Sequence, residues 1–201
     1  MFPSPKKVFV VFKKHYQEIP LIPVSKTPFQ TLVAVMLSAR TRDETTAKVC
    51  KELFKIAPTP QRLSKLPESK IRKSIYPVGF YKTKAKHLKK LSEKLIKDFG
   101  GKVPKSLVAL TSLPGIGRKS ANLVLVRAFK IPAIAVDTHV HRISNLLGWI
   151  KTKTPEQTEK ALVKILPKKY WLEVNKLMVS VGQQYRGKRQ LEKFLKEKRL
   201  L

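Results

Sequence analysis

The chain has 201 residues, 42% of them hydrophobic, with 43 Lys and Arg against 13 Asp and Glu and a formal charge of +30. That composition suits one ordinary domain or two small ones and excludes global disorder, while so large a positive excess repels itself and calls for a polyanion, nucleic acid before an anionic membrane surface. No run of about 18 apolar residues is present to span a bilayer, and a single cysteine, Cys50, excludes an internal disulfide or an all-cysteine metal or iron–sulfur site within the chain and favours an intracellular compartment.

Helical periodicity dominates. The opening MFPSPKKVFVVFKKHYQ has lysines on both sides of a short apolar patch and no small-residue cleavage site, so it reads as a first helix and not a signal peptide. PFQTLVAVMLSA, 28–39, is apolar nearly all round and predicts a central buried helix. Thr41 and Glu44 carry capping-box spacing for the next one. KTKAKHLKKLSEKLIKDFGG places Ala85, Leu88, Leu91, Leu95 and Phe99 on one side and lysines on the other, with Gly100 and Gly101 to end it. IPAIAV, 131–136, is the one short extended candidate. Thr154, Pro155 and Gln157 open another helix. The last dozen residues, QLEKFLKEKRLL, are basic and are expected to fray. The count is ten or eleven helices with little sheet. Seams fall near 20–23 and 131–133, giving one lobe over 21–132 and a second over 1–20 plus 133–201.

In LPGIGRKSANLVL, 113–125, Pro114 fixes one dihedral and Gly115 and Gly117 permit backbone shapes closed to other residues. The amides at the mouth of the following helix suit a phosphate, with Arg118 adding charge; a tight turn between two packed helices is the plainer alternative. Lys119 lies in the first helical turn, where the positive dipole end disfavours an ammonium and so favours a nucleophilic amine. On charge alone it also fits one more phosphate contact. Asp137, in AIAVDTHVHRISNLLGW, follows an apolar stretch and precedes a helix. N-capping suits it, and a carboxylate fixed there can also steady a developing cation or help move a proton. His139 and His141 are two apart and share no helix face, which argues against a metal site.

LPGIGRKSANLVL and VDTHVHRISNLLG together resemble the helix-hairpin-helix DNA glycosylases, most closely the endonuclease III family. FQTLVAVMLSARTRDETTAKV, GFYKTKAKHLKKL and GGKVPKSLVALTSLPGIGRKSANLVL have counterparts there in the same order, and the likeness covers roughly residues 25–185. It implies an all-α, two-lobed helix-hairpin-helix fold with DNA bound in a cleft between the lobes. It implies a bifunctional glycosylase and abasic-site lyase of base excision repair acting on oxidised pyrimidines in double-stranded DNA. Lys119 matches the family's nucleophilic lysine and Asp137 its aspartate. Arg40, where relatives usually carry glutamine, and Phe80 match its DNA-inserting positions, and Gly115, Gly117, Arg118 and His139 are the accompanying DNA contacts.

The departure lies at the end of the chain. VGQQYRGKRQLEKFLKEKRLL has no cysteine where many relatives hold a [4Fe–4S] cluster, so no cluster is expected. Apolar packing from YWLEVNKLMVSVG should hold that lobe instead, with Arg186, Lys188 and Arg189 free to serve the DNA backbone. Hairpins of this kind also bind a monovalent cation, here through the carbonyls of Thr111, Leu113 and Ile116. A glycosylase for oxidised guanine or mismatched bases, and a non-catalytic DNA-binding protein, are the alternatives. A monomer associated with DNA and not with membrane, in the cytoplasm if the source is prokaryotic, completes the expectation.

Overall fold

A computed structural model describes residues 2–18 and 25–201, and all regular structure among them is helical. The chain divides into two compact units, Met1–Ile19 with Ile131–Leu201 and Pro20–Lys130. The expected seam at 20–23 lies outside the described residues. Helix α1 (Pro5–Lys14) belongs to the first unit. The second contains α2 (Pro28–Ser38), α3 (Asp43–Ile56), α4 (Pro60–Lys65), α5 (Glu68–Ile75), α6 (Tyr81–Phe99), α7 (Leu107–Thr111) and α8 (Arg118–Phe129). The first unit then resumes with α9 (Thr138–Leu146), α10 (Pro155–Ile165), a 3-10 turn at Lys168–Tyr170, α11 (Trp171–Gln184) and α12 (Lys188–Glu197). The short α4 and α7 bring the number of α-helices above that read from periodicity, because five or six residues carry too little of a repeat to be seen.

In the second unit α2 is the centre. Thr27 caps it by accepting from the Gln30 amide at 3.2 Å, and Pro28 supplies its first turn. Every residue from Thr31 to Leu37 is buried, against α3, α6 and α8. Each such leucine stabilises the fold by about 1.5–3 kcal/mol relative to exposure. Helix α6 buries Ala85, Leu88, Leu91 and Leu95 and packs on α4 and α5. It stops where Gly100 turns left-handed and the Gly101 amide closes on the Leu95 carbonyl at 2.8 Å. One lysine of α6 departs from the expected outer face: Lys84 is buried, 7% exposed. The capping box at Thr41 and Glu44 is also absent. Helix α3 starts at Asp43 with Arg42 as a cap that makes no side-chain bond, because the Thr41 hydroxyl is already engaged by the amide of Gly79.

In the first unit one core joins Val8 and Phe12 of α1, Val140 and Ile143 of α9, Leu162 of α10, Val174, Leu177, Met178 and Val181 of α11, and Leu191, Phe194 and Leu195 of α12. The apolar packing expected of 170–182 is therefore observed. The end of the chain does not fray, because residues 188–197 form a helix whose apolar stripe enters this core and Leu200 is buried after it. The Tyr185 ring stacks on Phe194 at 4.3 Å and His15 meets the same ring edge-on at 5.1 Å. The Arg142 guanidinium donates to the carbonyls of Gly182, Tyr185 and Arg186, satisfying the open end of α11. The segment 131–136 makes no strand; it runs as irregular backbone with Ile134, Ala135 and Val136 buried, and the Ala135 carbonyl accepts from Asn175 Nδ2 at 3.0 Å.

Candidate active site and nucleic-acid interface

The hairpin between α7 and α8 is built from two glycines with different tasks. Gly115 has φ +78°, and a Cβ there would lie 2.9 Å from His87 Nδ1 and 3.1 Å from Met36 Cε. Left-handed backbone and a crowded seat both exclude a side chain. Gly117 is extended, caps α8 without a side chain, and faces open space. Leu113 and Ile116 are buried and plug the loop into its unit, with the Ile116 amide donating to the Leu113 carbonyl at 3.1 Å. The plain packed-turn reading thus holds for Gly115. At Gly117 the backbone is bare and the first amides of α8, which have no intrahelical acceptor, open outward.

Arg118 and Lys119 stand exposed on that first turn. Among the described residues no carboxylate pairs with Lys119. Its amine is therefore neither buried nor held in an ion pair.

Arg40 and Phe80 come together in the same unit. The guanidinium carbon of Arg40 lies 5.4 Å from the centroid of the Phe80 ring, within cation–π range. Both residues have left-handed backbone, φ 54° and 58°. Phe80 is 60% exposed, so it is not tucked into the core. Gly79 allows the two loops to meet: a Cβ on it would fall 2.5 Å from the Arg40 carbonyl oxygen. Beside them opens a cavity of about 320 Å³ lined by Met36, Arg40, Phe80, Lys84, His87 and the hairpin's Gly115.

Lys84 is the member of this group that pattern-reading of the sequence overlooks. Burial pulls its ammonium down to a pKa of about 8. The signal was in the register: Lys84, Leu88, Leu91 and Leu95 follow one apolar stripe of α6.

In the other unit Asp137 is the N-cap of α9, its Oδ1 accepting from the amides of His139 at 3.0 Å and Val140 at 2.9 Å. It is half-buried at the end of the apolar run Ile134–Val136. Capping and a chemical role coexist, because the cap fixes the carboxylate's position. The ring of His139 lies against Gly182, where a Cβ would overlap it, whereas His141 Nδ1 sits 2.6 Å from Thr158 Oγ1. The two histidines serve different neighbours, and among the described residues no group of three or more His, Cys, Asp or Glu is placed to hold a metal. Arg186, Lys188 and Arg189 are exposed at the start of α12.

Residues 33–168 match the family of HhH-GPD superfamily base excision DNA repair proteins. Endonuclease III of Thermotoga maritima is 51% identical over 156 residues, covering 78% of this chain and 73% of that protein. Endonuclease III-like protein 1 of Bos taurus is 42% identical over 159 residues, and there the chain spans about half of the relative's length, 52%. A solved non-covalent endonuclease III–DNA complex superposes with a TM-score of 0.82 at 34% identity, covering 93% of this chain and 89% of that one. A trapped endonuclease III–DNA covalent intermediate does so with a TM-score of 0.80, also at 34% identity, over 92% and 89%. On the family match over residues 33–168 and 51% identity across 78% of its length, the chain belongs to the HhH-GPD superfamily and, within it, to the endonuclease III family.

Proposed function

We propose that the protein is a bifunctional DNA glycosylase and abasic-site lyase of base excision repair, with double-stranded DNA carrying oxidised pyrimidines or abasic sites as its substrate. The observation that carries this is the exposed, unpaired Lys119 amine on the first turn of α8, two residues past the bare backbone of Gly117.

The damaged nucleotide is swung out of the stack, and Phe80 and Arg40 enter the gap it leaves. Gly115 keeps the turn tight and Gly117 lets the phosphate chain approach the hairpin, whose amides and Arg118 receive a phosphate. His139 adds a contact from the other unit. The Lys119 amine attacks deoxyribose C1′ as the C1′–N bond to the base breaks; the base leaves with the bonding pair and is protonated. Loss of the amine proton and opening of the sugar ring give a Schiff base. Removal of a C2′ proton then expels the 3′ phosphate by β-elimination, and water frees the lysine. Asp137 steadies the positive charge that develops on the sugar and helps to move these protons.

No iron–sulfur cluster takes part. A [4Fe–4S] centre needs four thiolates, whereas the sole cysteine of this chain, Cys50, is buried with its thiol pushed up to about 12. A monovalent cation bound to the carbonyls of Thr111, Leu113 and Ile116 would stiffen the hairpin against phosphate. The protein acts as a monomer on DNA in the cytoplasm; among the described residues no helix is long and apolar enough to cross a membrane.

Borohydride trapping on an oligonucleotide with an abasic site tests the reading. Wild-type protein should give a covalent adduct and Lys119→Gln none, with folding and DNA affinity retained. An adduct undiminished in Lys119→Gln would remove the lysine from the chemistry. A panel of duplexes with oxidised pyrimidines, oxidised guanine and mismatches ranks the substrates, and release of guanine lesions alone would move the protein to the other specificity.

A further inference from the structure

We infer that Lys84 is the positioning residue of the DNA-inserting pair, a buried clamp that holds Arg40 and Phe80 as one preformed wedge. The inference rests on the reading of those two side chains as the groups that enter the helix.

Two adjacent loops each place a bulky residue in left-handed backbone, which is costly and persists only where the surroundings over-determine it. Lys84 supplies that determination from one position. Its Nζ donates to the carbonyls of Leu37 at 2.8 Å and Ala39 at 2.6 Å, and lies 3.4 Å from Thr41 Oγ1, so it grips the chain on both sides of Arg40. Its own backbone amide donates to the Phe80 carbonyl at 3.0 Å. Thr41 Oγ1 closes the circuit by accepting the Gly79 amide at 3.1 Å. The ammonium thus fills the carbonyl end of α2, where the helix dipole favours a cation, and among the described residues no carboxylate shares it. A buried lysine held by helix-end carbonyls, its hydrogen bonds flanking Arg40 and reaching the Phe80 carbonyl, is placed to set those two tips.

Lys84→Met keeps the length of the side chain and removes the ammonium; Lys84→Arg keeps the charge; Thr41→Val removes the shared hydroxyl and leaves the lysine's two carbonyl acceptors in place. Each is checked by thermal melting and then given two substrates. The first is a duplex with 2-aminopurine beside the lesion, whose fluorescence reports insertion and whose single-turnover base release reports flipping. The second is a single-stranded abasic oligonucleotide for borohydride trapping, which has no base to extrude. Folded Lys84→Met should lose the fluorescence response and slow base release on the order of 10²-fold, the scale of a misplaced positioning group, while trapping on the single strand falls far less. Lys84→Arg should restore part of the response, and Thr41→Val should show a smaller loss of the same kind. If Lys84→Met does not fold, Thr41→Val alone decides. Undiminished fluorescence and base release in a folded Lys84→Met, or in Thr41→Val where that must decide, overturn the inference. Arg40→Ala and Phe80→Ala serve as controls: if these abolish the response and Lys84→Met does not, only the clamp falls, and if these also leave it intact, the wedge itself falls and the clamp with it.

Discussion

The guanidinium of Arg40 stands 5.4 Å over the ring of Phe80, and each of the two residues is held in left-handed backbone. A stack of a cation on an exposed aromatic ring presents a flat, rigid, positively charged edge, a shape suited to a gap in a base stack. Left-handed backbone at non-glycine residues is a stability cost of order 1–3 kcal/mol each.

Phe80→Gly should separate these two consequences. Glycine adopts φ +58° without penalty, so equilibrium unfolding in urea should show stability unchanged or raised by up to about 1 kcal/mol. Base release from duplex DNA should nevertheless fall by roughly 10²-fold. A stabilised variant with full excision would mean that the ring has no part in opening the duplex.

Asp137 serves as helix cap and proposed catalyst, and two substitutions distinguish the roles. Asn is as good an N-cap as Asp, so Asp137→Asn should keep its stability within about 0.5 kcal/mol, whereas Asp137→Ala should lose about 1 kcal/mol. Both should lose most of their turnover under saturating DNA while binding it normally. Wild-type turnover in Asp137→Asn would leave the cap as the residue's whole function.

Phe194 is the anchor of α12, buried between Tyr185 and His15. Phe194→Ala should cost about 3–5 kcal/mol in urea unfolding. A loss under about 1 kcal/mol would show α12 to be dispensable to its unit.

The buried ammonium of Lys84 makes a pH prediction with a definite sign. Its folded pKa of about 8 lies below the ordinary 10.5. Between those values the unfolded chain holds the proton and the folded chain releases it, so this group raises stability as pH climbs from about 8 towards 10.5. Arg40 and His87 are the other ionisable side chains lining the cavity. Measured in urea at pH 7.5 and pH 10, the stability of wild type relative to Lys84→Met should increase. A gap that stays constant or narrows would place the lysine in water.

Much of the molecule was legible in the residues alone. The all-helical architecture follows from apolar spacing, and α2 from a run with no polar face. The hairpin follows from Pro114, Gly115 and Gly117, and the lysine and aspartate from their places at two helix starts. These are local signals, carried by residues a few positions apart. Lys84, Thr41 and residues 190–201 differ from their local pattern for a shared reason. A lysine on an apolar stripe, a threonine spaced for a capping box and a basic terminal tract each look solvent-facing until a distant segment arrives to meet them. The carbonyl end of α2 receives the first, the Gly79 amide the second, and the Tyr185 ring with the core of the first unit the third. Periodicity along one element states which face is apolar; whether a polar atom on that element finds an acceptor depends on backbone some forty residues away, and only the folded chain supplies it.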